Sequence, residues 1–280
     1  MNDVKIGRVQ GQIEIRSRMM GVWSRPLALI VACCIAPGVA HAQAFTQPAG
    51  QGRVITSVIH TKSDKIFDDN GAATDVPDIS KTEIYLQGEY GVTDDLTVLL
   101  TPSFRFISVE GGADSANLGY TDIGARYRVL NDDNVVLSLQ GKVRIPGQTQ
   151  RNSLAQIGQT DAEYDFRGQL AYTFGQGSFV SVESGYRVRA GEPPNEFHVD
   201  ATVGIRASEK FLITANSFNV ISDGRGSGIF SSPHRYHNLF LGGAYDVSSH
   251  VTLQLGVTGT IDGRNALRER GAFASVWTRF

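Results

Sequence analysis

Residues 118–146 read LGYTDIGARYRVLNDDNVVLSLQGKVRIP, and every second residue separates this stretch into two lists. Ile123, Ala125, Tyr127 and Val129 are apolar or aromatic, whereas Asp122, Arg126 and Arg128 are charged. After the turn at Asn131–Asn134 the alternation resumes: Val135, Leu137, Leu139, Val143 and Ile145 stand against Ser138, Gln140, Lys142 and Arg144. Successive side chains of a strand point to opposite faces, so the stretch is a β-hairpin with one greasy and one charged face. A soluble sheet turns such a face into a core, whereas a membrane barrel turns it outward.

The same period runs along the chain. Ile84, Leu86 and Tyr90 oppose Glu83, Gln87 and Glu89; Leu96, Val98, Leu100, Phe104 and Phe106 oppose Thr97, Thr101, Ser103 and Arg105. Tyr164, Phe166, Leu170, Tyr172 and Phe174 oppose Glu163, Asp165, Arg167 and Gln169. Val180, Val182, Tyr186 and Val188 oppose Ser181, Glu183, Arg187 and Arg189. Phe197, Val199, Val203 and Ile205 oppose Glu196, His198, Asp200, Thr202 and Arg206. The strand from Phe211 changes phase at Phe218 and Val220, which predicts a β-bulge there. With a first strand from Arg53 to Thr61 and three strands after residue 238, the pattern predicts about twelve strands.

Connections alternate in length. Polar segments at 62–80, 109–117, 147–160, 191–195, 222–234 and 262–270 are longer; those at 92–95, 131–134, 175–177 and 208–210 are tight. Outer-membrane barrels have short periplasmic turns, longer outer loops and strands of about ten alternating residues. The pattern therefore predicts an all-β, up-and-down antiparallel transmembrane barrel in a bacterial outer membrane. Tyr90, Tyr127, Tyr172, Phe174, Tyr245 and Phe280 are predicted to form its periplasmic aromatic girdle. Phe280 ends a strand with Ala272, Ala274 and Val276 on the same face, which resembles the C-terminal signature read by barrel-assembly machinery.

Composition agrees. Of 280 residues 31 are Gly and 9 Pro, and no apolar run reaches the ~18 residues of a spanning helix. Arg25, the run PLALIVACCIAPGVA and Ala40-His41-Ala42 have the order of a secretory signal, which predicts cleavage after Ala42. Ile30-Val31-Ala32-Cys33 loosely resembles a lipoprotein box, and Met19 or Met20 is an alternative start. The predicted organisation is a signal peptide (1–42), a short periplasmic segment (43–52) and a barrel (53–280). Removing five basic and two acidic residues from 26 and 28 leaves a mature net charge near −5, which argues against a nucleic-acid partner. With Cys33 and Cys34 removed, no disulfide framework remains.

In a barrel the charged face lines the lumen. The pore-lining candidates are Arg105, Arg126, Arg128, Lys142, Arg144, Glu163, Asp165, Arg167, Glu183, Arg187, Arg189, His198, Asp200 and Arg206, with Glu83, Glu89, Asp122 and Glu196 beside them. Signs alternate between neighbouring strands, so the side chains either pair off or bind polar and anionic solutes. A surface lipid hydrolase needs Ser and His together on the outer face; no His-x-Ser or G-x-S-x-G sequence occurs, so no catalytic site, metal or cofactor is expected. Asp68, Asp69 and Asn70 offer at most a loose Ca²⁺ site in an outer loop.

Two stretches, EIYLQGEYGVTDDLTVLL (83–100) and LGYTDIGARYRVL (118–130), resemble the outer-membrane protein family linked to aromatic-compound (phenol) degradation, distant relatives of fatty-acid transport barrels. Gly119, Asp122 and Gly124 stand where that family's strand entry has its Gly and Asp. The resemblance implies uptake of small, hydrophobic or aromatic solutes, although residues 43–52 are too short for the plug of a fatty-acid barrel. The functional expectation is a passive channel for small solutes, with outer-membrane lipid, solute and assembly machinery as partners. The alternative is a non-conducting structural or surface-interaction barrel, for instance one supporting polysaccharide export; the sequence leaves the oligomeric state open.

Overall fold

The computed structural model describes residues 44–112, 114–147 and 161–280; the expected signal peptide and most of the 147–160 loop lie outside them. The strands are β1 (Gly52–Phe67), β2 (Ala73–Gly91), β3 (Leu96–Thr101), β4 (Ser103–Val109), β5 (Ser115–Leu118), β6 (Tyr120–Asp132), β7 (Val135–Pro146), β8 (Glu163–Phe174), β9 (Ser178–Arg189), β10 (Glu196–Ser208), β11 (Phe211–Ser222), β12 (Arg235–Asp246), β13 (Val251–Arg264), β14 (Ala266–Leu267) and β15 (Arg270–Arg279). Pro102, which has no N–H to give the ladder, separates β3 from β4, and Gly119 separates β5 from β6. Each pair is one wall strand, and β14 is a two-residue appendage on β1. Twelve antiparallel wall strands result, and β1 pairs with both β2 and β15, closing the sheet without a free edge.

The two lists separate as read from the sequence. Leu139, Phe166 and Leu255 are 56%, 59% and 68% exposed, whereas Glu163, Arg105 and Trp277 are each 2% exposed. Forty strand-rich apolar side chains on the outside and buried charges on the inside reverse the arrangement of a soluble core, so the outer band meets lipid. Tyr90, Tyr127, Tyr172, Phe174, Tyr245 and Phe280 all lie on this outer face. Leu139→Arg, in the middle of β7 on the lipid face, should cost about 2–4 kcal/mol of stability. Denaturant unfolding in lipid vesicles measures it, and a variant as stable as the parent would refute the outward assignment.

Elsewhere the structure corrects the sequence reading. The polar stretch at 62–80 is not a long loop: β1 and β2 run on beyond the belt, joined by only 68–72. Lys65–Asp75 pair across them at 2.6 Å on the exposed side, while Ile66, Ile79, Ile107, Val109 and Leu267 pack inside. Polar side chains mark where the outer face leaves lipid for water, not where the strand ends. The expected bulge at Phe218 and Val220 is absent. The β11 register against β10 and β12 is continuous there, and both side chains point inward at 4% and 1% exposure. The register shift lies instead at Arg206/Ser208. The 131–134 turn narrows to Asp133–Asn134, with Asp133 at φ 34°, as a two-residue hairpin loop requires.

Candidate functional site in the barrel lumen

Antiparallel pairing brings the inner charges together in rows. Asp122, Arg144, Glu163 and Arg189 are register partners in succession across β6, β7, β8 and β9. Their signs alternate: Arg144 reaches Asp122 and Glu163 at 2.9 Å each, and Arg189 reaches Glu163 at 2.8 Å. The next row runs Lys142, Asp165, Arg187, Glu196 across β7 to β10. Arg187 bonds Asp165 at 2.9 Å and Glu196 at 3.3 Å, while Lys142 leans toward Asp122 at 3.7 Å. Deeper, Arg167 joins Asp165 (2.6 Å), Asp200 (2.9 Å) and Glu183. His198 and His234 each lie 3.3 Å from a Glu196 oxygen. Arg105 bonds Glu83, and Arg126 shares Glu89 with Arg53.

Every sequence-derived candidate therefore has a place. Arg105, Arg126, Lys142, Arg144, Glu163, Asp165, Arg167, Glu183, Arg187, Arg189, His198 and Asp200 line the lumen together. Arg128 and Arg206 sit at the periplasmic rim, paired with Asp95 and Asp246 at 2.8 Å each. Lys81, paired with Glu83 and with Glu269 at 2.9 Å, belongs to the lumen and was not read from the sequence. A buried charge is tolerated only when paired and hydrogen-bonded, and here each inward cation of the described residues has a carboxylate partner.

The opposite wall is apolar. Ile59, Tyr85, Phe218, Phe240 and Phe273 form a cluster from β1, β2, β11, β12 and β15, with Phe218–Phe240 edge-on at 5.4 Å and Phe240–Phe273 at 5.5 Å. Gly256 makes this possible, since a Cβ there would stand 2.4 Å from the Phe273 ring. Beside the cluster, a cavity of about 20 Å³ lies between Phe240, Lys81, Glu83 and Glu269, large enough for one water. The lumen is thus two-sided: a ladder of ion pairs faces a group of aromatic rings.

Residues 44–47 seat inside the periplasmic mouth of the lumen, and 48–51 continue exposed along the rim. Ala44 is fully buried among the inward-facing Ile55, Val136, Ala171, Phe179, Leu212, Ala244 and Trp277. Phe45 packs edge-on against Phe179 at 6.5 Å. Arg126 donates to the Phe45 carbonyl at 2.8 Å, Ser138 to the Ala44 carbonyl, and Gln47 to Glu89 at 2.8 Å. The mixed small and polar residues at 44–51 give no periodic signal, so only the complementary layer of inward apolar residues at the strand ends identifies this seat.

The outer Asp68–Asn70 turn is satisfied internally. Asp68 accepts the backbone N–H groups of Asn70 and Ala72, and Asp69 accepts from Arg264 and Asn265. Those two donors hold the Asp69 carboxyl below the usual carboxylate range. No cluster of metal-ligating side chains exists among the described residues. On the lipid face Ser217 and His237, brought together from β11 and β12, share a 2.9 Å hydrogen bond that sequence spacing does not reveal.

A closed barrel with a lipid-facing apolar band, a polar lumen and both described chain ends at the short-turn side defines an integral outer-membrane protein. The chain belongs to the family described as putative MetA-pathway of phenol degradation, whose profile matches residues 59–280. Among solved structures it is similar to an outer membrane channel from Pseudomonas putida F1, at 14% identity over 88% of this chain and 100% of that one, with a TM-score of 0.75. It is also similar to the NanC porin (8% identity, 79% and 98% covered, TM-score 0.52). The translocator domain of the autotransporter NalP from Neisseria meningitidis is a third likeness (10%, 84% and 90%, TM-score 0.50). At these identities the likeness is one of fold. Comparison with curated proteins gives no sequence match.

Proposed function

We propose that the protein is a passive outer-membrane channel for small solutes, with the charged and aromatic walls of the lumen as its solute-facing surface. The two-sided lumen carries this reading: a purely structural barrel has no need of an aromatic cluster facing a polar ladder. Each inward cation among the described residues is already held by a carboxylate, so an anionic solute would have to break an ion pair. A small neutral or weakly polar ring would instead stack on Phe218, Phe240 and Phe273 as it passes the polar wall, once these rings move apart from the one-water space they now leave. Family membership supports aromatic compounds as the solute class. The outward row Ala272, Ala274, Val276 and Phe280, on a strand that seals against β1, supports the reading of the last strand as the assembly signal.

Recording from planar bilayers tests the channel. Discrete conductance steps from folded protein are expected, along with uptake of small aromatic alcohols into liposomes. The tight packing of the lumen favours a second reading, a non-conducting structural barrel, and absence of both current and uptake would establish it.

A further inference from the structure

Beyond solute passage, we propose that the outward face of β15, β1, β2 and β4 holds the phosphate of an outer-leaflet glycolipid. A pocket of about 510 Å³ opens there, lined by Lys62, Asp64, Asp78, Ser80, Ser108, Glu110 and Arg270 among others. Register places Arg270 opposite Lys62, Lys62 opposite Ser80, and Ser80 opposite Ser108, so two cations and two hydroxyls form one row across four strands. These positions share the face of Val58, Phe104 and Phe106, which belong to the apolar band, and lie further toward the outer end. The row therefore sits where acyl chains give way to headgroups.

Two features of the row call for an anion. Like charges directly opposite each other on a sheet face repel, with Cβ atoms about 5 Å apart. Arg270 turns up to Asp64 at 3.0 Å, which leaves the Lys62 ammonium with no carboxylate partner among the described residues. A phosphate shared by Lys62, Arg270 and the two hydroxyls removes the repulsion and gains charge-assisted hydrogen bonds. Above the row stand Asp64, Asp78 and Glu110, further from the band. Glu110 accepts the Asp78 backbone N–H at 3.2 Å, and the acids give the pocket a layered polarity, cations below and carboxylates above. That order suits a phosphorylated headgroup whose divalent counter-ion lies on its water side. The β1–β2 ladder shifts register between Ser63 and Lys65, just above the row.

The test is native mass spectrometry of refolded barrel with diphosphoryl lipid A, with enzymatically dephosphorylated lipid A, and with inorganic phosphate alone. The parent is expected to retain one diphosphoryl lipid through detergent exchange, to retain little of the dephosphorylated form, and to show no retained inorganic phosphate. Lys62→Glu with Arg270→Glu should lower retention at least about tenfold. Arg235→Glu, at a rim position already paired with Asp262, should not. Heat-modifiable gel migration confirms that each variant is folded. Equal retention by the parent and the double variant, or equal retention of the dephosphorylated lipid, overturns the proposal; the channel reading is untouched by either result.

Discussion

Replacing Glu163 with alanine is expected to destabilise the barrel by about 3–5 kcal/mol, more than any single change on the lipid face. Glu163 is 2% exposed and sits at the centre of the outer row of the lumen. It accepts from Arg144 at 2.9 Å, Arg189 at 2.8 Å and the Tyr120 hydroxyl at 3.2 Å, and Arg187 lies 3.6 Å away. Removal leaves three buried guanidinium groups to share Asp122, Asp165 and Glu196. Taking one partner from a buried network costs more than the pair contributes, because the desolvation of the remaining charge is no longer offset. Glu163→Gln keeps the shape and the acceptor oxygen, so a smaller loss is expected. Denaturant midpoints in vesicles separate the cases. If Glu163→Ala costs no more than an exposed Lys or Glu substitution, the lumen is water-filled enough to screen the row.

The second large effect concerns conduction. Deleting 44–51 should raise single-channel conductance severalfold, since residues 44–47 sit inside the periplasmic mouth. The barrel itself should survive, because its closure runs through β1 and β15 and through the Gly52–Phe280 backbone pair, none of which is removed. A milder form of the same experiment is Phe45→Ala, which takes away the ring packed on Phe179 but keeps the carbonyl that Arg126 holds. It should increase the frequency of open events with little change in the largest step. Unaltered conductance after the deletion would mean that the narrowest point lies higher, between the aromatic cluster and the ion pairs.

How far the sequence reveals such a protein depends on which signal a residue carries. The 118–146 hairpin was legible because its outer face must be uniformly apolar and its inner face is charged, so a period of two stands out. The same contrast located nearly every buried ion pair. It failed at Phe218 and Val220, where the inner face is itself apolar: polarity no longer reports direction, and an unbroken strand imitates a bulge. It failed again at 62–80, where both faces meet water or other protein. Residues 44–51 carry no period at all, and their place is set by a ring of inward apolar residues contributed by strands far apart in the chain. Lys81 escaped notice because it borders the 62–80 stretch read as a loop, although Glu83, two residues on, shares its face, and its other partner Glu269 lies far along the chain.

The alternating rows in the lumen also bear on how the wall is assembled. A strand that slips by one residue turns its apolar face inward and is rejected at once by the bilayer. A slip of two residues keeps both faces correct, and the nearly uniform outer surface offers little to oppose it. The inner rows do oppose it in one direction. Such a slip of β7 on β6 would set Arg126 against Lys142; of β8 on β7, Lys142 against Arg167; and of β9 on β8, Arg167 against Arg187. Each misalignment replaces an attraction by a repulsion inside a poorly hydrated space. Side chains that line the lumen of the finished barrel thus act beforehand as a ruler for its construction.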